Sequence, residues 1–181
     1  QDFHNAAIDA VKFAHDMWRL QAGFKDLKVM AVSAIGTPGC INGPELESLI
    51  KTAPSVASMQ GNEAKHRDAV AKGVSKCFKE WQDKVMVPGL PWYPAFAAFP
   101  GPQAPPMPNV PVPLIACPSA NIAKITVPDE LKNAMIDAHD SELKKDDPHK
   151  FHETLYQAIG TVLSIAFLIW LASQQCMLVM G

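Results

Sequence analysis

One turn of this 181-residue chain carries side chains that could hold a metal ion. His149, His152 and Glu153 occupy positions i, i+3 and i+4, so a helix would bring them to one face, and imidazole and carboxylate groups bind divalent metals. Their order is H-x-x-H-E, which differs from the H-E-x-x-H of zinc proteases, and no further ligand is evident. The pattern favours a solvated helix start, with these three residues as minor candidates for a metal site.

The other residue types that could support catalysis are not arranged for it. His139 lies near Asp140 and Glu142, which resembles an acid–base cluster, but any charged helix offers such combinations. The sequence contains no nucleophile elbow, Walker loop or dinucleotide fingerprint. We therefore expect neither an enzyme nor a bound cofactor.

The cysteines also indicate no redox or metal chemistry. None belongs to a C-x-x-C pair, which argues against zinc and thioredoxin-like sites and gives little support to a disulfide framework. The four are Cys40, Cys77, Cys117 and Cys176. We expect reduced thiols in a reducing compartment. The chain opens without a signal-like apolar run, so no secretory address is visible.

Charged residues are missing from two long stretches of the chain. Residues 85–123 and 154–181 contain no Asp, Glu, Lys or Arg, so all the charge lies elsewhere. The formal net charge of −2 leaves no basic face, which argues against a nucleic-acid partner. The uncharged stretches predict surfaces that another protein or a membrane must cover.

Hydrophobic periodicity predicts a mainly α-helical fold with little or no β structure. Amphipathic helices over residues 3–20 and 63–86 should pack together as the core of an N-terminal helical domain, residues 1–86. A further helical stretch over residues 24–35 and a short helix that begins at Pro44 complete this domain.

Residues 87–127 are predicted to form an apolar, proline-rich extended arm. Eleven of the 16 prolines lie between residues 87 and 123, and this density excludes helix and any central strand. Residues 124–127 are a candidate edge strand. Large apolar side chains in the arm would cost about 1.5–3 kcal/mol each if left in water, so they should contact a partner. The arm residues that we expect in this contact are Trp92, Tyr93, Phe96, Phe99, Met107 and Leu114.

Two helices are predicted after the arm. Pro128 begins a mostly solvated helix within residues 128–147, and a long C-terminal helix covers residues 148–181. The segment 160–181 is a 22-residue uncharged run, long enough to cross about 30 Å of hydrocarbon.

Two interpretations of the segment 160–181 stay open. Gly160 and Ser164 form a small-x-x-x-small pair, which is common where membrane helices meet, and basic residues only before the segment would give a tail anchor. Gln174 and Gln175 shorten the purely apolar part, which favours a helix buried within a protein assembly. The residues that we expect in the helix interface are Gly160, Ser164, Phe167 and Trp170.

The sequence therefore predicts a non-enzymatic structural subunit of a large multi-subunit assembly, such as a virion, phage-tail or injection-machine component. Self-association or contacts with other subunits would use the arm and the C-terminal helix. A tail-anchored accessory subunit of a membrane complex and an assembly adaptor or chaperone are the alternatives. A particle or intracellular location is favoured, with membrane anchoring as the alternative.

Overall fold

A computed structural model describes residues 2–30, 33–91 and 111–176 of the chain. Within these ranges the protein is mostly helical, which confirms the mainly α-helical part of the predicted fold, and short strands of two to five residues add β structure to it. The central part of the predicted arm lies outside the described residues. The predicted contact residues that fall there are Trp92, Tyr93, Phe96, Phe99 and Met107.

The two long N-terminal helices form where the periodicity predicts them. α1 (Asp2–Gln21) buries one stripe of side chains, spaced three and four residues apart, against α2 (Leu46–Lys51) and α3 (Gly61–Gln82). α3 buries a similar stripe and continues it to the aromatic residues Phe78 and Trp81. These stripes form the first part of the hydrophobic core.

The predicted helix over residues 24–35 is wrong, because this region forms strands. The strands are β1 (Gly23–Phe24), β2 (Lys28–Met30), β3 (Ser33–Gly36) and β4 (Ile41–Asn42), and β1 pairs with β4 while β2 pairs with β3. Asp26 has a φ of 55°, a left-handed conformation that interrupts a right-handed helix. Pairing of β3 with β5 (Val87–Pro91) supplies backbone hydrogen bonds that local periodicity does not reveal.

The described ends of the predicted arm belong to the folded domain. β5 lies at the edge of the sheet β2-β3-β5, a position that tolerates its prolines, and it buries Val87 and Leu90. β6 (Val112–Pro113) pairs with β7 (Gln175–Cys176) and leads into a 3₁₀ turn in which Leu114 is buried. The described ends of the arm thus pack on the chain's own fold instead of projecting from it, and Leu114 lies in the core.

The region after the arm is more broken than predicted. α4 (Ala123–Thr126) is helical where an edge strand was expected, and it buries Ile125. α5 begins at Pro128 as predicted but ends at Ala138, because His139 has an extended backbone. Asp140 then starts a new helix, α6 (Ser141–Lys145), by accepting hydrogen bonds from the amides of Glu142 and Leu143.

α7 (Phe151–Ser173) is the longest described helix and completes the core. It begins three residues later than predicted, after Lys150 adopts a left-handed conformation, and ends before the short strand β7. α7 packs mainly on α5 and also contacts α4 and α1. Buried residues of α1 to α5 and of α7 form one continuous hydrophobic cluster.

Candidate interaction surface on helix α7

α7 has two apolar faces, and only one of them is covered by the rest of the chain. The inner face buries Tyr156, Ile159, Leu163, Phe167 and Leu171, which recur at intervals of three and four residues. This inner face packs against the other helices of the domain, so it holds α7 in the fold.

The opposite face of α7, here called the outer stripe, leaves large aliphatic side chains in solvent. The exposed fractions are 41% for Val162, 56% for Ile165, 46% for Leu168 and 62% for Ile169. The smaller exposed residues that complete the outer stripe are Ala158, Ala166 and Ala172. No charged residue follows Glu153 on this helix, so the outer stripe is an uncharged, apolar surface.

Four residues expected in the helix interface lie on contacts within this chain. A Cβ on Gly160 would lie 2.9 Å from the carbonyl oxygen of Pro128, so this glycine permits α7 to approach α5 closely. Ser164 and Phe167 are buried, and Trp170 is half-buried. The exposed apolar surface of the uncharged segment is the outer stripe, which does not include these four residues. Sequence periodicity does not indicate which of the two apolar faces of α7 the rest of the chain covers.

An aromatic cluster joins the C-terminal half of α7 to α1 and α3. The ring centroids of His15 and Trp170 are 4.3 Å apart in an edge-to-face arrangement, and Trp18 and Phe78 pack beside them. The indole of Trp18 donates a 2.8 Å hydrogen bond to the amide oxygen of Gln82. Aromatic packing in this cluster positions α7, while the buried hydrogen bond joins α1 to α3.

His15 has an unusual environment within the aromatic cluster. Its Nε2 atom is buried and has no hydrogen-bond partner among the described residues. Burial, followed by the nearby charge of Arg19, lowers the pKa of His15 to about 4, and Asp16 opposes the change. His15 is therefore a neutral, largely apolar packing group at neutral pH.

A second histidine cluster lies at the N-terminal end of α7. The rings of His139 and His152 are stacked with centroids 4.7 Å apart, and the ring centroid of His66 on α3 lies 4.9 Å from that of His139. The hydroxyl of Tyr156 and Nδ1 of His139 form a 2.7 Å hydrogen bond, while Nδ1 of His152 lies 2.6 Å from Oδ2 of Asp147. Three helical segments thus meet through imidazole rings.

Burial and neighbouring positive charge both disfavour protonation of His139 in the second cluster. Burial lowers the pKa of His139 to about 4, and the proximity of His66, His152 and Lys144 contributes in the same direction. Nε2 of His139 is buried and unpaired within the described residues. Hydrogen bonds from His152, its backbone amide first, lower the pKa of Asp147 to about 2.

The predicted metal candidates do not converge. His152 is committed to Asp147, His149 is exposed, and Glu153 pairs at 3.8 Å with Lys150. Among the described residues, no group of three or more His, Cys, Asp or Glu side chains is placed to hold a metal ion. His152 belongs instead to the histidine cluster, which long-range packing creates.

The buried thiols lack the surroundings of reactive cysteines. Burial raises the pKa values of Cys77 and Cys117 to about 12, so both are protonated at neutral pH. Cys40 is also buried, where its sulfur lies 3.5 Å from the carbonyl oxygen of Val85. These thiols therefore serve as packing groups.

A cleft of about 820 Å³ opens beside the C-terminal end of α7. Its walls include Trp18, Phe24 and Trp170, with Arg19 and Gln174 joined at the rim by a 3.0 Å hydrogen bond. The lining mixes apolar and charged groups, and burial raises the pKa of the Cys176 thiol that belongs to it, which disfavours the reactive thiolate. The cleft therefore adds no evidence for catalysis.

No protein-family model matches the sequence, and comparison with curated proteins and solved structures finds no similar chain. The outer stripe and the two histidine sites are the features of the described residues that bear most directly on function. The outer stripe offers an uncovered apolar surface on α7, and the two histidine sites connect α7 to the rest of the fold.

Proposed function

We propose that this chain is a non-enzymatic structural subunit of a large multi-subunit assembly, in which the outer stripe of α7 contacts a neighbouring subunit. One observation carries the proposal: Ile165 and Ile169 are more than half exposed on a long helix without charges beyond its first turn. Covering large aliphatic side chains stabilises an interface by about 25 cal/mol per Å² of apolar surface removed from water.

The geometry favours a protein contact over free exposure at neutral pH. The inner face of α7 is already packed, so the helix presents one ridge of side chains to a partner. Side chains at positions 158, 162, 165 and 169 follow the i, i+3, i+4 spacing with which one helix packs into the groove of another. An uncharged ridge would pack without burying an unpaired charge.

The sequence adds a second proposed contact region outside the described residues. The proline-rich segment 92–110 contains Trp92, Tyr93, Phe96, Phe99 and Met107 and no charged residue. Proline limits the conformational freedom of the unbound segment, which reduces the entropy lost on docking. A virion, phage-tail or injection-machine component is the class of assembly that this composition favours.

Sedimentation velocity of the purified full chain, without detergent, tests the proposal. We expect a defined oligomer larger than the 19.7 kDa monomer. The double substitution Ile165→Glu and Ile169→Glu should give monomers with unchanged helix content, because it places charges in the interface. Leu20→Glu is the control, since Leu20 is 80% exposed on α1. A wild-type chain that stays monomeric over the micromolar range would contradict self-association through the outer stripe.

A tail-anchored accessory subunit is the second candidate function. α7, with its 23 residues, is the one helix among the described residues that is long and apolar enough to cross a membrane. Retention of the full chain in membranes after an alkaline carbonate wash, together with failure to form a detergent-free oligomer, would favour this candidate over the structural subunit.

A further inference from the structure

α7 is both a packed helix of the domain and a segment that fits a bilayer. Its 23 residues span about 34 Å at 1.5 Å per residue, which exceeds the hydrocarbon thickness of about 30 Å. The acidic and basic side chains of α7 are confined to its first turn, where His152 and Glu153 lie. The rest of the helix could therefore enter lipid without moving a charge into hydrocarbon.

Histidine contacts hold α7 near both of its ends. His15 packs against Phe167 and Trp170 near the C-terminal end, with ring centroids 5.7 Å and 4.3 Å away. His139 stacks on His152 and bonds to Tyr156 near the N-terminal end. Release of α7 requires both sites to open, and both sites contain an imidazole nitrogen that is buried without a partner among the described residues.

Protonation is incompatible with the packing around His15. The faces that α3 and α7 turn toward it supply Phe78, Phe167 and Trp170, none of which is a carboxylate. On α1 itself, Asp16 is engaged with Arg19 at 3.5 Å. A proton on His15 would add a charge and a buried donor with no acceptor, which a packed interior tolerates poorly.

Protonation of His139 meets the same difficulty. The titratable and charged groups facing it are His66 and Lys65 on α3, Lys144 on α6, and His152 with Tyr156 on α7. Asp140 beside it lies 3.5 Å from the Lys65 ammonium, and Asp147 is bonded to His152. A cationic His139 would therefore lie against the stacked ring of His152, 4.7 Å away between centroids, while the two nearby carboxylates are already paired.

We propose that acid opens these two histidine sites and releases α7 from the domain into a lipid bilayer. The occupant is lipid because the freed helix carries no charged residue beyond its first turn, and its mainly apolar inner face can be covered by acyl chains but not by water. The inference goes beyond the structural role proposed for neutral pH and does not depend on oligomer formation. Protonation of His15 and His139 opens the two sites, because the packed state accommodates only the neutral form of each histidine.

Vesicle flotation of the full chain at about pH 7.5 and about pH 5 tests the inference, with brominated phosphatidylcholine as a quencher of tryptophan fluorescence. The vesicles consist of phosphatidylcholine and phosphatidylglycerol. We expect little binding at the higher pH, and at the lower pH a rise of roughly tenfold in the vesicle-bound fraction, together with quenching. Trp170 on α7 should report the insertion, so a Trp170→Phe chain should lose part of the quenching.

Substitution of the histidines separates this mechanism from general acid unfolding. His15→Gln and His139→Gln, separately and together, should move the midpoint of vesicle binding down by about one pH unit or more, because glutamine cannot be protonated. His149→Gln is the control, since His149 is exposed on the turn before α7. Circular dichroism at neutral pH identifies the variants that are folded. If the double variant does not fold, each single variant still tests the inference.

Three results would overturn the inference. One is the absence of vesicle binding across the acid range, and another is an unchanged midpoint in both single variants. The third is acid-induced association of the chain in solution without partition into vesicles, which would assign the released helix to a protein contact. An oligomer at neutral pH that fails to enter vesicles in acid would remove this inference and leave the proposed structural function intact.

Discussion

At the scale of single residues, two helix crossings depend on glycine. A Cβ on Gly73 of α3 would lie 2.6 Å from the backbone nitrogen of Met135 on α5, and Gly160 of α7 has a similar relation to Pro128. Contacts this short involve backbone atoms, which cannot move aside as the end of a flexible side chain can. Both glycines therefore set the distances at which α5 packs on its neighbours.

Gly73→Ala tests this conclusion because two effects act in opposite directions. Helix propensity alone predicts a gain of about 1 kcal/mol, since alanine is the better helix former. Overpacking against α5 predicts a loss of about 1–3 kcal/mol, and we expect the loss to dominate. Urea denaturation measures the free energy of unfolding. Gly23→Ala is the matched control, because a Cβ there meets no atom within 4 Å, and its effect should stay within about 0.5 kcal/mol.

At the scale of elements, the break between α5 and α6 positions the histidine cluster. The extended backbone of His139 ends α5, and the Asp140 side chain caps α6 through the amides of Glu142 and Leu143. A continuous helix through this region would turn His139 to a different direction and remove its contact with Tyr156. The break thus serves the packing of α7 as well as the local chain path.

Asp140→Ala should destabilise the protein by about 0.5–2 kcal/mol, the range found when a helix N-cap is removed. The exposed ion pair with Lys65 adds little to this loss. Asp140→Asn should recover most of the stability, since asparagine also caps helices well. Chemical denaturation at neutral pH makes the comparison. Equal losses in the alanine and asparagine variants would show that the charge, and not the cap, is what matters.

At the scale of the whole molecule, the two buried histidines link folding to pH. His15 and His139 have pKa values of about 4 in the folded chain, compared with 6.5 when unperturbed. The unfolded chain therefore binds more protons between these values, and the free energy of unfolding falls as the pH drops from about 6.5 toward about 4. Above about pH 7 neither histidine should change the stability.

Urea denaturation at a series of pH values checks this dependence. We expect a loss of roughly 1–3 kcal/mol for each histidine across the window, since one pKa unit corresponds to about 1.4 kcal/mol. His139→Gln should flatten the slope, whereas His149→Gln should leave it unchanged. Asp147 contributes to stability in a lower window, between its unfolded pKa of about 3.8 and its folded pKa of about 2. A slope that begins only below about pH 4 would assign the acid sensitivity to carboxylates.

The sequence alone determined the elements whose signal is local. Stripes at helical spacing predicted α1 and α3, Pro128 marked the start of α5, and the missing charges identified an apolar C-terminal helix. These features could be read because helix formation depends on residues three and four positions apart, and because charge avoids buried surfaces.

Only the tertiary structure decided the features that join distant residues. β3 is a strand because β5, some fifty residues later, pairs with it, and the apolar face of α7 that stays exposed depends on where α5 packs. The cluster of His66, His139 and His152 spans three helical segments, so no spacing in the sequence indicates it. Periodicity shows which residues share a face, but the partner of that face is fixed by long-range contacts.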